Sequence, residues 1–241
     1  KRKAKLLLDY AFKKKIYFYD TAPSYGFGKV EIILSEFIKN KRSKIFLSTK
    51  AGLYKKENTA FKQIDLFNFD PKFIKKQLND SLKRLKTNYV DVLFLHSPTK
   101  KNCKNIIKLK KMMDELKKEG KIRFSGISPK TPGDGIYFLK KANFDFVQLN
   151  FNLIDHRIFE SGIYDLCKKK NVKIIARTPF NLGFLAKKHD LNQIKMNKKN
   201  DHRSRWNIKQ LDLWNKSSDL FNKLNLNNSK AAFALRYCFM F

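Results

Sequence analysis

Six short apolar runs in this chain each carry, within their last three residues, a polar group able to hold charge or hydrogen bonds. "IYFYDTA" carries Asp20, "KIFLSTK" Lys50, "VDVLFLH" His96, "IRFSGIS" Ser128, "FDFVQLN" Gln148 and "VKIIART" Thr178. Five residues past Asp20 stands Tyr25, in a loop bounded by Pro23 and Gly26. A carboxylate, a phenol, an ammonium and an imidazole are the groups with which proteins move protons. A strand that needed only stability would not end in them, because an unpaired charge taken out of water is costly. One polar strand end means little, since strands often end at the surface. Six in succession predict one shared pocket.

The elements that must hold these ends alternate along the chain. "GKVEIILSEFIKN" follows the first run with helical spacing. "DPKFIKKQLNDSLKRLK" follows the second, with Asp70 as N-cap and Pro71 at the first helical position. "KNIIKLKKMMDELKKEGK", stopped by Gly120, then "DGIYFLKKAN" and "FESGIYDLCKKKN" continue the pattern. Strict alternation predicts βα units and a parallel sheet, whose buried strands read as near-continuous apolar runs. The expected class is therefore α/β, as a (β/α)8 TIM barrel that gathers its site from many strand ends. A doubly wound open sheet competes, but it would collect its site at one switch point. No G-x-G-x-x-G follows a strand, and "GFGKVE" offers only G-x-G.

The 241 residues suffice for one large domain, expected over 1–241. Hydrophobic residues make up 42% and aromatics 14%, enough for a core. No run of about 18 apolar residues suggests a membrane span. The basic start is followed by apolar patches cut by Asp9 and by Lys13 to Lys15, so no secretion signal is read. Cys103, Cys167 and Cys238 are odd in number and lack C-x-x-C spacing, which argues against a disulfide framework or a zinc site and for a reducing cytoplasm. The net charge is +32, yet only nine of the 53 basic residues are arginine. The lysines are spread along helix faces, and no helix-turn-helix, zinc or RNA-recognition pattern accompanies them. Compositional bias accounts for this better than a specific nucleic-acid partner, although non-specific attraction at low salt follows from the charge.

"DTAPSYGFGKVEIILSEFI", "FLSTKAG", "LKRLKTNYVDVLFLHSP", "GKIRFSGIS", "FVQLNFNLIDHR" and "IIARTPFNLGFLAKK" together resemble the aldo-keto reductase family, in order and over nearly the whole chain. The resemblance implies a (β/α)8 barrel that reduces a small-molecule aldehyde or ketone with NADPH or NADH, NADPH being favoured. The family's catalytic Asp, Tyr, Lys and His fall on Asp20, Tyr25, Lys50 and His96. Hydride transfer to a carbonyl leaves an alkoxide that needs a proton. Free tyrosine, with a pKa of about 10, is a reluctant donor at neutral pH. An ammonium beside it stabilises the phenolate. Lys50 would supply that charge, Asp20 would hold Lys50, His96 would orient the substrate oxygen, and Tyr25 would give the proton. Ser128 and Gln148 match residues that bind the nicotinamide carboxamide. The family's Asn beside that Ser reads Pro129 here, so one amide contact is expected to be lost or moved. Thr178 and the backbone from Phe180 to Leu185 match the pyrophosphate loop, with Gly183 permitting close approach and Arg177 near the nicotinamide or substrate.

Against the family pattern, the chain starts inside the first helix and stops at the helix before the last strand. The barrel is thus expected to lack strands 1 and 8 here, as a fragment of a longer product. Residues 187–211 are polar and long for a βα loop, and are read as a flap in which His202, Arg205 and Trp206 could line a pocket. Intact Asp20, Tyr25, Lys50 and His96 favour turnover over the alternative, a reductase-like scaffold that binds cofactor without catalysis.

Overall fold

A computed structural model describes residues 2–57, 63–197, 201–217, 219 and 229–241. The six apolar runs form strands: β1 (Phe18–Asp20), β2 (Phe46–Ala51), β5 (Val90–His96), β6 (Ile122–Ser128), β7 (Phe146–Asn150) and β8 (Lys173–Arg177). They lie in one sheet in the order β1-β2-β5-β6-β7-β8, and the pairings along it from β1 to β7 are parallel. Between β2 and β5 an antiparallel hairpin of β3 (Leu53–Glu57) and β4 (Gln63–Phe67) stands outside that sheet, an element the sequence reading did not foresee. The helices are α1 (Arg2–Lys13), α2 (Lys29–Ile38), α3 (Pro71–Leu85), α4 (Ile106–Lys118), α5 (Pro132–Lys141), α6 (Arg157–Glu160), α7 (Ile163–Lys169), α8 (Leu191–Met196), α9 (Ile208–Ser217) and α10 (Lys230–Cys238).

Local chemistry explains the elements. Asp70 caps α3 as expected, its Oδ1 accepting from the amides of Lys72 at 2.8 Å and Phe73 at 3.3 Å. One face of α3 buries Ile74, Leu78, Leu82 and Leu85, spaced by four, four and three. Each such side chain stabilises the fold by roughly 1.5–3 kcal/mol. Every residue of β5 is buried. Its one internal charge, Asp91, is matched by Arg42 at 2.8 Å, Arg123 at 3.0 Å and the Leu47 amide at 2.8 Å. Three partners offset the desolvation that a lone carboxylate would incur.

Packing divides the chain into two compact units, Lys1–Gln148 with Asp165–Ile174, and Leu149–Tyr164 with Ile175–Phe241. Within the first, the sheet curls. Three strands separate β1 from β7, which in a flat sheet would put them about 19 Å apart. Yet Gln148 Nε2 donates to Asp20 Oδ1 at 3.1 Å. Towards the strands' N-terminal ends, Phe46 and Phe146 meet at 5.9 Å between ring centroids, with Phe18 and Phe124 packed beside them. An aromatic layer thus fills one end and leaves the polar groups to the other. This is an α/β fold of the incomplete (β/α)8 barrel type, and the open doubly wound sheet is set aside.

Candidate active site

The first unit gathers four of the titratable strand-end and loop residues. Asp20 closes β1, and Lys50 lies one residue from the end of β2. The Lys50 side chain is 2% exposed. Its ammonium pairs with Asp20 Oδ2 and donates to the Thr21 carbonyl at 2.9 Å. Asp20 Oδ1 accepts from the Ser48 hydroxyl and from Gln148 Nε2. The Asp20 side chain, 32% exposed, keeps one edge toward solvent. A buried ammonium is tolerable here because a carboxylate and a carbonyl surround it.

Tyr25 opens a tight turn, Tyr25–Gly28, that leads into α2. Gly26, Phe27 and Gly28 are all left-handed, at φ 57°, 54° and 83°. For Phe27 that conformation costs roughly 1–2 kcal/mol. Gly28 is required twice over: a Cβ there would fall 2.8 Å from Arg84 Cδ. Arg84 is itself fixed by Glu31 at 2.7 Å, and buried Glu31 accepts from Thr49 Oγ1 at 2.9 Å. The turn is thus braced from behind, and Tyr25, 39% exposed, is presented toward Lys50 and His96. The Lys50 ammonium lies over the Tyr25 ring, 4.8 Å from its centroid. The same ring meets His96 edge-on, at 6.0 Å and 88°. Contacts therefore run in one chain from Asp20 to Lys50, to Tyr25, to His96.

Ser128, fully buried at the end of β6, stands in register with His96. Gln148 is 2% exposed in the middle of β7. Its amide nitrogen is committed to Asp20, and its buried Oε1 has no hydrogen-bond partner among the described residues. An orphaned acceptor of this kind is suited to an incoming amide N–H. That fits a nicotinamide carboxamide. Pro129, directly after Ser128, adds no side-chain donor.

The other expected residues belong to the second unit. Arg177 ends β8 and donates to Asn150 Oδ1 through Nε at 3.2 Å and Nη2 at 3.0 Å. Thr178 follows in the left-handed region, at φ 53°. A cavity of about 1050 Å³ is bordered by Arg177, Thr178, Asn181, Leu182, Trp206 and Trp214, among others. Phe180 packs beside Leu185 and Ala234 instead. Asn181 is 92% buried, and its Nδ2 has no hydrogen-bond partner among the described residues, a donor suited to a phosphate or ribose oxygen. At Gly183, φ is +97°, and a Cβ would press to 3.2 Å on His189 Nε2. Burial pushes the His189 pKa down, and the Arg203 guanidinium adds to this against an opposing hydrogen bond from the ring to the Gly183 backbone.

Of the residues read as a flap over 187–211, those from 198 to 200 lie outside the described residues. The remainder form α8, a turn at His202–Arg205 and the start of α9. Trp206 borders the cavity, while His202 and Arg205 are not among its lining residues. Sequence reasoning missed Ser48, Asn150, Asn152, Asn181, His189 and Arg203. For Ser48, Asn150, Asn152 and Asn181 the one signal was a polar side chain in or beside an apolar stretch; His189 and Arg203, in polar segments, gave none.

Comparison with known proteins agrees with this architecture. The family model described as "Aldo/keto reductase family" matches residues 1–240. An uncharacterized oxidoreductase of Bacillus subtilis, YqkF, is 35% identical over 190 residues, covering 78% of this chain and 59% of that protein. The NADH-specific methylglyoxal reductase of Escherichia coli is 27% identical over 174 residues, covering 69% of this chain and 53% of the enzyme. The chain thus spans little more than half the length of these relatives. Among solved structures, the aldo-keto reductase AKR11C1 from Bacillus halodurans in its holo form is 26% identical with a TM-score of 0.78. That likeness covers 99% of this chain and 73% of the other.

Proposed function

This chain belongs to the aldo/keto reductase family, and from that premise we propose that it reduces an aldehyde or ketone to the alcohol with NADPH or NADH. The observation that carries the reading is the unbroken sequence of contacts from Asp20 through Lys50 and Tyr25 to His96. A bound reduced nicotinamide would supply the hydride. The protein's own groups supply the rest. Asp20 keeps the Lys50 ammonium charged and aimed. Lys50 stabilises negative charge on Tyr25. Tyr25 donates its hydroxyl proton to the carbonyl oxygen, and His96 orients that oxygen by hydrogen bonding.

Gln148 and Ser128 are assigned to the carboxamide, a reading supported by the orphaned Gln148 Oε1. Arg177, Thr178, Phe180 and Gly183 are assigned to the phosphate-bearing remainder, a reading supported by the cavity beside Thr178 and by Asn181 Nδ2, which has no hydrogen-bond partner among the described residues. The E. coli relative named a methylglyoxal reductase agrees with a small carbonyl substrate. Among the described residues no helix is long and apolar enough to cross a membrane, and all three cysteines are free. Both are compatible with a cytoplasmic location.

The test follows NADPH and NADH consumption with a panel of aldehydes and ketones, for the chain and for Tyr25→Phe. Turnover that the variant loses supports the proposal; turnover unchanged in the variant refutes it. Tight dinucleotide binding without turnover would favour the scaffold alternative, for which Pro129 in place of an amide side chain is the specific observation.

A further inference from the structure

Thr178 stands with Asn181 and Leu182 among the left-handed, non-glycine residues of the second unit. It is β-branched, and its φ of 53° lies in a region such residues rarely enter. A conformation of this sort costs about 1–3 kcal/mol and persists only where its surroundings over-determine it. The surroundings are identifiable. The Thr178 carbonyl accepts two hydrogen bonds, from the Asn181 amide at 2.8 Å and from Asn152 Nδ2 at 3.0 Å. Asn152 is 1% exposed. Its Oδ1 accepts from the amides of Ile154 at 3.0 Å and Asp155 at 3.1 Å, so the side chain cannot turn away without giving up two part-buried hydrogen bonds.

The neighbouring residues act in the same direction. The Phe151 amide donates to the Arg177 carbonyl at 3.1 Å, and Asn150 holds the Arg177 guanidinium. Three consecutive residues, 150 to 152, thus fasten two, 177 and 178. Of the bonds these three residues make, the Asn152 bond is the one that reaches the left-handed residue itself, where it joins the Asn181 amide on the same carbonyl.

We infer that Asn152 is a positioning residue: it locks the left-handed turn at Thr178 and thereby sets the affinity of the following loop for the dinucleotide. The affinity part rests on the function proposed above; the lock itself does not. Asn152 touches no reacting atom. It acts through the Thr178 carbonyl, fixing where the backbone from Phe180 to Leu185 begins.

Asn152→Asp tests this without removing the local turn. A carboxylate still accepts from Ile154 and Asp155 but can no longer donate to Thr178, and it sets negative charge against that carbonyl. Dinucleotide affinity is read by quenching of Trp206 and Trp214, the chain's two tryptophans, both bordering the cavity. The dissociation constant is expected to rise about tenfold, the equivalent of one lost hydrogen bond. The KM for the carbonyl substrate should stay within about twofold of the original. In a Thr178→Gly background, glycine adopts the left-handed turn without strain, so the same Asn152→Asp change should cost less than threefold. Equal losses in both backgrounds overturn the inference, because a general structural role would be additive.

A second arm needs no cofactor. Hydrogen exchange at the Asn181 amide should quicken at least tenfold in Asn152→Asp while amides of β5 keep their protection. Unchanged exchange at Asn181 overturns the lock. If the unaltered chain bound no dinucleotide, the proposed function would fail, and exchange alone would then decide the lock.

Discussion

The Lys50 ammonium faces the Tyr25 ring at 4.8 Å from its centroid, and that ring meets His96 edge-on. Both contacts are made by the ring, so Tyr25→Phe preserves them and removes only the hydroxyl. Reduction should fall by at least about 100-fold, the lower range of a general acid's contribution. Dinucleotide affinity, read by tryptophan quenching, should stay within about twofold. A variant that turns over at the original rate would end the assignment of Tyr25 as proton donor.

The two halves of the Asp20–Lys50 pair should be unequal in stability. Asp20→Ala leaves a 2% exposed ammonium with the Thr21 carbonyl and the Tyr25 ring but no counter-charge beside it, and should cost about 3 kcal/mol. Lys50→Met leaves a carboxylate that is one-third exposed and still bonded to Ser48 and Gln148. Its cost should be less than half as large. Urea unfolding of both variants measures the order, and the reverse order would contradict the burial argument. Activity should be lost in both.

Burial pushes the Cys103 thiol up to about 12 and the Cys167 thiol up to about 11. Neither side chain is more than 1% exposed. Thiolate is the reactive form. At pH 8 a chromogenic disulfide reagent should therefore titrate at most one thiol of the folded chain, Cys238, and three after denaturation. Rapid modification of Cys103 in the native protein would contradict its placement.

Hydrogen bonds from the Arg203 guanidinium hold the Asp201 carboxyl down at about 2. In an unfolded chain it titrates near about 3.9. Folding thus favours the ionised form. The resulting stabilisation is complete above about pH 4 and is lost as pH falls through about 2. Asp201→Asn should lower the melting temperature at pH 6, and the gap from the parent should close between pH 4 and pH 2. A gap that stays constant over that range would show that this ion pair contributes nothing.

The strands were legible because buried parallel strands leave long apolar runs, and the α3 start because Asp70 and Pro71 encode a cap. Asp20, Lys50 and His96 stood out since charge at the end of such a run demands a reason. The β3–β4 hairpin was not legible. "LYKKENTAFKQIDLF" mixes lysines with scattered apolar residues and shows no clean alternation. Pro23 and Gly26 announced a loop at Tyr25, but nothing announced that Phe27 would be left-handed between two glycines. Asn152 was one asparagine among many, and its decisive bond reaches a carbonyl 26 residues away. Bonds of that kind leave no periodicity behind.

Asp20 has only two oxygens, and they serve three side chains from two strands: Ser48 and Lys50 on β2, Gln148 on β7. A substitution at position 148 therefore changes how much of that carboxylate is left for the lysine. In a reductase, the grip on the nicotinamide and the readiness of the phenol to give its proton would then be adjusted together. A lineage adapting this protein to a new dinucleotide through Gln148 would find its rate of proton delivery shifting as well, and would need a compensating change at Ser48 to separate the two.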